Sequence, residues 1–207
     1  QLLLRCVREP HLVRGLEAIG KAATGGAQTV RRIQEFTRTR RTRPFGRVDL
    51  LALLREVVEL TRPRWQDEAQ SRGVSYDVRV EGGPVPPVAG IAEELNEVFS
   101  NLLPNALEAM PGGGRFVFRV GTEGGQIVVR AEDTGCGMSE ETRRRVFEPF
   151  FTTKGPRGTG LGLAVAWGIV TRHGGSMEVE STLGGVGSTF IVRLPIGQET
   201  SSAETPE

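Results

Sequence analysis

The chain has 207 residues, 38% hydrophobic and 25% charged, the proportions of a globular protein with one ordinary core and a smaller appendage. Lys and Arg number 26 against 25 Asp and Glu, and the net charge of +1 gives no footprint for nucleic acid or an anionic membrane. No apolar run approaches the ~20 residues of a membrane span, and no signal-peptide pattern opens the chain. Cys6 and Cys136 are too few and too far apart for a disulfide framework, so the expected location is a reducing cytoplasm, with membrane attachment of a parent protein left open.

In chain order, residues 1–8 form a short apolar piece that stops at Glu9-Pro10. A stripe at Leu12, Leu16, Ile19, Ala23, Gly26, Val30, Ile33 and Thr37 then steps by fours and threes, the narrow seam of paired helices or a four-helix bundle. Arg38, Arg40, Arg41 and Arg43 lead to Pro44 as a solvated linker. Asp49 can cap a helix whose apolar positions are Leu50, Leu53, Leu54, Val57, Val58 and Leu60, interrupted or ended near Pro63. A strand at 74–80 alternates Val74, Tyr76, Val78 and Val80 with polar residues. After a Pro-rich loop come a long helix at 91–110, two strands at 116–120 and 127–131, and a short helix to Phe147 capped by Ser139. A glycine-rich stretch precedes a helix at 161–172, and strands at 177–181 and 188–194 close the domain. The Ser-, Thr- and Glu-rich tail from Gly197 reads as disordered.

This order predicts an α/β fold, a two-layer sandwich of one mixed sheet with its helices on one face. The boundaries are 1–44 for a helical hairpin segment and linker, 45–197 for the α/β domain and 198–207 for the tail.

The 28 glycines, well above the usual share of ~7%, cluster between well-patterned segments and mark loops with demanding backbone geometry. Four local constellations carry chemistry. Asn101-Leu-Leu-Pro-Asn105 puts two amides one turn apart on one helix face, where their oxygens can reach a hard cation such as Mg²⁺. Asp133-Thr-Gly-Cys-Gly137 follows a strand; Gly135 and Gly137 allow close approach to a flat ligand, and the Asp133 carboxylate can accept a hydrogen bond from an exocyclic amine such as that of adenine. Phe147-Glu-Pro-Phe-Phe-Thr-Thr-Lys154 is the third. The fourth, Gly158-Thr159-Gly160-Leu161-Gly162, leads into a helix, whose N-terminal N–H groups and dipole favour phosphate. It is neither a Walker loop nor a dinucleotide fingerprint.

Together, and in this order from Val48 to Pro195, the four resemble the histidine kinase branch of the superfamily that includes gyrase, Hsp90 and MutL, with its Bergerat ATP-binding fold. The run FEPFFTTK followed by GTGLGL is similar to the nitrogen-sensor type. The resemblance implies ATP and Mg²⁺ as cofactors. Asp133 would recognise adenine, Asn105, assisted by Asn101, would hold Mg²⁺, and Thr189 in Gly187-Ser-Thr-Phe190 would line the adenine pocket. Residues 139–159 would be a lid, with Lys154 or Arg157 near the phosphates. Hydrolysing members of the superfamily have a glutamate where Asn101 stands. An amide cannot serve as that base, so phosphoryl transfer to a histidine is the expected reaction.

The partners implied are a histidine-bearing hairpin acting in cis or in trans, a response regulator receiver domain and a second copy joined through the N-terminal helices. The phosphoacceptor itself is expected upstream of this chain. His11 falls where the resemblance predicts a loop, and His173 where the family often has a structural histidine. Pro104, between the two asparagines, removes a backbone hydrogen bond and is expected to test the straightness of its helix. Cys136 reads as a small buried residue between the two glycines.

Overall fold

The computed structural model describes residues 15, 44–155, 158–181, 183–184 and 187–197. The expected hairpin segment apart from Gly15, the linker residues Arg38, Arg40, Arg41 and Arg43, Arg157 and the expected tail 198–207 lie outside the described residues. In chain order the elements are β1 (Gly46–Val48), α1 (Leu50–Arg62), a π-helical turn (Pro63–Asp67), α2 (Glu68–Ser71), β2 (Tyr76–Gly82), β3 (Val88–Gly90), α3 (Ala92–Ala109), β4 (Gly114–Glu123), β5 (Gln126–Asp133), α4 (Glu140–Arg145), α5 (Gly162–Arg172), β6 (Ser176–Ser181) and β7 (Ser188–Pro195).

Asp49 starts α1 by accepting the Ala52 N–H at 3.0 Å, and the helix buries Leu50, Leu53, Leu54, Val57 and Val58 along one face. Leu60 is 67% exposed, a correction to its expected place in the core: it sits at the margin of that stripe. The α-helix is interrupted at Pro63, as expected, with its last residue at Arg62. The proline has no N–H to donate, and the chain widens there into the π-helical turn before α2. The Trp65 indole N–H is satisfied by the Val58 carbonyl at 3.2 Å.

Five strands form the mixed sheet in the order β2-β4-β5-β7-β6. Only β2 and β4 run parallel; the other neighbours are antiparallel. Phe116 and Phe118 of β4, Val129 and Ala131 of β5, and Phe190 and Val192 of β7 face the helices, in one core with Leu95, Phe99 and Leu102 of α3 and Ile169 and Val170 of α5. Phe118 stands at its centre, edge-on to Phe99 and Phe116 at 5.7 and 4.7 Å. The opposite face carries Arg79, Glu81, Arg119, Arg130 and Glu132; Arg119 bonds Glu132 at 3.0 Å and also pairs with Glu81. Arg119 and Arg130 lie directly opposite each other, and these acidic neighbours offset their repulsion.

The described residues are therefore the two-layer α/β sandwich expected from the pattern. The small antiparallel pair β1–β3 was not anticipated, because three residues per strand are too few to show an alternation.

α3 and α5 carry the segments of interest and are fastened together at one end. Arg172 reaches the buried Glu94 at 2.5 Å. His173 is 3% exposed; its Nε2 accepts the Ile91 N–H at 3.1 Å, so Nδ1 carries the proton and donates to the Ile169 carbonyl at 2.8 Å. Phe45 stacks on its ring at 4.8 Å. On the outer side of α5, Trp167 is 45% exposed. No helix among the described residues is long and apolar enough to cross a membrane.

Candidate functional site

Asp133 is the last residue of β5 and pairs in register with Ser188, the first of β7, so both side chains stand at the same end of the two central strands and on the helix side. Asp133 is 7% exposed. Its Oδ1 accepts the N–H groups of Gly135 at 2.8 Å and Ser188 at 3.2 Å. Burial raises its carboxyl above the ordinary aspartate value, against the lowering effect of those two bonds. The loop after it is tied to the end of α3 by a Cys136 N–H bond to the Ala109 carbonyl at 3.1 Å. Gly187 has φ +81° and passes so near that a Cβ there would lie 1.8 Å from the Asp133 carbonyl oxygen. Gly137, also left-handed, leads to Met138, whose N–H bonds the Ser181 hydroxyl at 2.8 Å. That hydroxyl lies 2.9 Å from the Ser188 hydroxyl.

Thr189 requires a correction. It pairs with Glu132, not Asp133, and a strand's period of two turns its side chain to the charged outer face of the sheet. The side chain that shares the Asp133 face is that of its neighbour Ser188. The alternation Phe190, Val192, Leu194, already legible in the sequence, could have identified it. Cys136 also departs from expectation, since it is exposed.

A second cluster lies along α3. The Asn101 amide donates to the Glu97 carbonyl and the Asn105 amide to the Asn101 carbonyl, each at 2.8 Å, which fixes both carboxamides. α3 runs unbroken through Pro104, which the helix absorbs. Gly162 opens α5 beside Asn101; a Cβ there would lie 2.8 Å from Asn101 Oδ1. Leu161 is buried and makes no side-chain cap, so the first turn of α5 has no side-chain acceptor from its N-cap. Gly160, with φ +63°, lies against the Phe150 backbone and accepts its N–H at 2.9 Å. Gly158 packs on Thr152, and Thr159 is half-buried between the two glycines. These glycines thus fit the loop onto the Phe-Thr-Thr-Lys segment as well as baring its backbone. Lys154 completes the cluster: its Nζ donates to Asn105 Oδ1 at 2.8 Å and pairs with Glu108. Glu108 was not singled out in the sequence, since a charged residue near a helix end is common.

The structure thus gathers Asn101, Asn105, Lys154 and Gly162 at one place and Asp133, Gly135 and Ser188 at another, joined through α3. No cluster of three or more His, Cys, Asp or Glu able to hold a metal occurs among the described residues. Any cation at the asparagines would therefore draw on amide oxygens, water and its own ligand.

Residues 90–198 match the family described as histidine kinase-, DNA gyrase B-, and HSP90-like ATPase. The C4-dicarboxylate transport sensor protein DctS of Rhodobacter capsulatus is 31% identical over 94% of this chain and 30% of its own length. The signal transduction histidine-protein kinase AtoS of Escherichia coli (strain K12) is 31% identical over 96% of this chain and 32% of its own. The chain spans about a third of the length of these curated relatives. Among solved structures, full-length ShkA in complex with AMPPNP superposes with a TM-score of 0.72 at 25% identity, covering 95% of this chain and 41% of that one. The nucleotide-free catalytic domain of histidine kinase ThkA gives 0.63 at 27% identity, covering 75% and 97%. The chain belongs to the histidine kinase-, DNA gyrase B- and HSP90-like ATPase family, and within it is the ATP-binding catalytic domain of a sensor histidine kinase.

Proposed function

We propose that this domain is the donor half of a phosphorelay: it binds ATP with Mg²⁺ and passes the γ-phosphoryl group to a histidine on a separate hairpin, for relay to the aspartate of a response regulator. The observation that carries the reading is Asn101. Its carboxamide is fixed by the Glu97 carbonyl beside the first turn of α5, where a hydrolase needs a base to activate water. An amide cannot take that proton. Water is left unactivated and a better nucleophile, an imidazole, must be supplied.

Asp133 reads the adenine amine: Oδ1 is occupied by backbone, and Oδ2 accepts from the ligand. Asn105, with Asn101, holds the metal. The fit is supported by Asn105 Oδ1, which already accepts from one cation, the Lys154 ammonium, and by the neutral oxygen donors that suit Mg²⁺. When bound, the metal neutralises phosphate charge. Lys154 and the N-terminal turn of α5 gather the phosphates. His173 is buried with both ring nitrogens bonded, so it is not the acceptor; His11 lies outside the described residues. A homodimer through residues 1–44, a cytoplasmic location and the nitrogen-sensor kind of relay complete the reading.

The test combines the chain with a separately produced histidine-bearing hairpin and radiolabelled ATP. Acid-labile phosphohistidine on the hairpin, lost in Asn105→Ala, is the expected result. Steady phosphate release without hairpin labelling would instead identify a hydrolase.

A further inference from the structure

We propose that Glu108 is a positioning residue of this site: it holds Lys154 on Asn105 so that the ammonium occupies the amide oxygen until nucleotide and its cation displace it. The inference rests on the nucleotide site proposed above. Asn105 and Glu108 are three residues apart on α3 and share a face. Lys154 comes from 49 residues further along the chain and contacts both, at 2.8 Å from Asn105 Oδ1 and in an ion pair with Glu108. The carboxamide orientation is determined from both sides. Its Nδ2 donates to the Asn101 carbonyl at 2.8 Å, and a flip would set an NH₂ group against the ammonium. Below Lys154, its own N–H bonds the Thr152 hydroxyl at 3.1 Å, which fixes the segment from which the side chain reaches across.

An ammonium and a divalent cation cannot share one amide oxygen at bonding distance, because their charges repel. Lys154 must therefore leave Asn105 when a metal-bearing nucleotide enters. The latch is suited to leaving: the side chains of Lys154 and Glu108 are 40% and 57% exposed, so the pair is weak and screened. Phosphate oxygens are stronger partners for an ammonium than an exposed carboxylate. Glu108 thus sets how firmly the nucleotide-free chain keeps Lys154 on α3, and through it how much Mg²⁺ nucleotide binding requires.

The test uses the full chain and two readouts: the Mg²⁺ concentration that half-saturates binding of an ATP analogue, and backbone hydrogen exchange at residues 150–155 without nucleotide. Glu108→Gln keeps the shape and removes the charge. The expected result is faster exchange at 150–155 and a Mg²⁺ requirement lowered about two- to fivefold, the range an exposed pair can supply. In a Lys154→Met background the same substitution neither speeds exchange nor lowers the Mg²⁺ requirement. Simple electrostatics predicts the opposite sign, since losing a negative charge near the metal raises the requirement. A raised or unchanged Mg²⁺ requirement, or an equal fall in the Lys154→Met background, overturns the proposal. Failure of the unsubstituted chain to bind the analogue at any Mg²⁺ concentration overturns the nucleotide site itself, whereas binding that ignores Glu108→Gln overturns this inference alone.

Discussion

In the proposed site, Asp133 sets recognition against stability. Burial raises its folded pKa above the ordinary value of 3.8, so between the unfolded and folded values the native state binds more protons than the unfolded chain. Stability is then fully present below the unfolded pKa and is lost as pH rises through the folded one. Above that folded value the ionised carboxylate weakens the nucleotide-free fold. Asp133→Asn is therefore expected to raise the melting midpoint at pH 7 and flatten the decline between acid and neutral pH, while abolishing adenine recognition. Thermal melts across pH and calorimetric titration with an ATP analogue check both halves, and a lower midpoint at pH 7 contradicts the burial argument. The neighbouring pair is a sharper case. Ser188→Ala, which removes a hydroxyl on the Asp133 side, is expected to weaken nucleotide binding about fivefold, the scale of one hydrogen bond. Thr189→Val, on the outer face, leaves it within about twofold by the same measure. The asparagine pair and Asp133 stand out in the sequence only when the four motifs are taken together in order, since two polar residues on a helix or an Asp-Gly turn are common by themselves. Ser188 does not stand out, because a shift of one residue along a strand changes the face and leaves the composition of the motif intact.

Elements with long periodic patterns were legible within a residue or two: α3 covers Ala92–Ala109 where 91–110 was expected. Composition alone could not tell what Pro104 does there, since its cost depends on packing around the turn. Leu102, Leu103 and Ala106 are all buried on either side of it, and that packing holds the helix continuous without the missing N–H. Pro104→Ala restores the donor toward Ser100, while the unfolded chain gains freedom. A net stabilisation of about 1–2 kcal/mol is expected from these opposing effects, with nucleotide affinity unchanged. Denaturant titration and calorimetry measure the two quantities; a loss of stability would mean that the proline ring is itself packed to advantage. The glycine loop before α5 was legible as a loop but not in its contacts. That Gly160 meets the Phe150 backbone and Gly162 meets Asn101 depends on segments far apart in sequence.

Across the whole molecule, the mixed sheet and its helix-covered face follow from alternating apolar residues, whereas the strand order and the joints between elements do not. Glu94 with Arg172, and His173 with Ile91 and Ile169, lock α3 to α5 at the end opposite the asparagines. The two helices that carry the asparagines and the glycine-rich loop thus form a braced frame, against which residues 150–155 are held through Lys154. The exposed Trp167 gives this frame a built-in optical reporter. It lies about 7.5 Å along the α5 axis from Gly162. The chain's other tryptophan, Trp65, is held by the Val58 carbonyl beside the π-helical turn. In a Trp65→Phe variant, emission would come from α5 alone. A fluorescence change on adding nucleotide, saturating at the concentration found by calorimetry, would then time the arrival of phosphate at the helix without any attached dye.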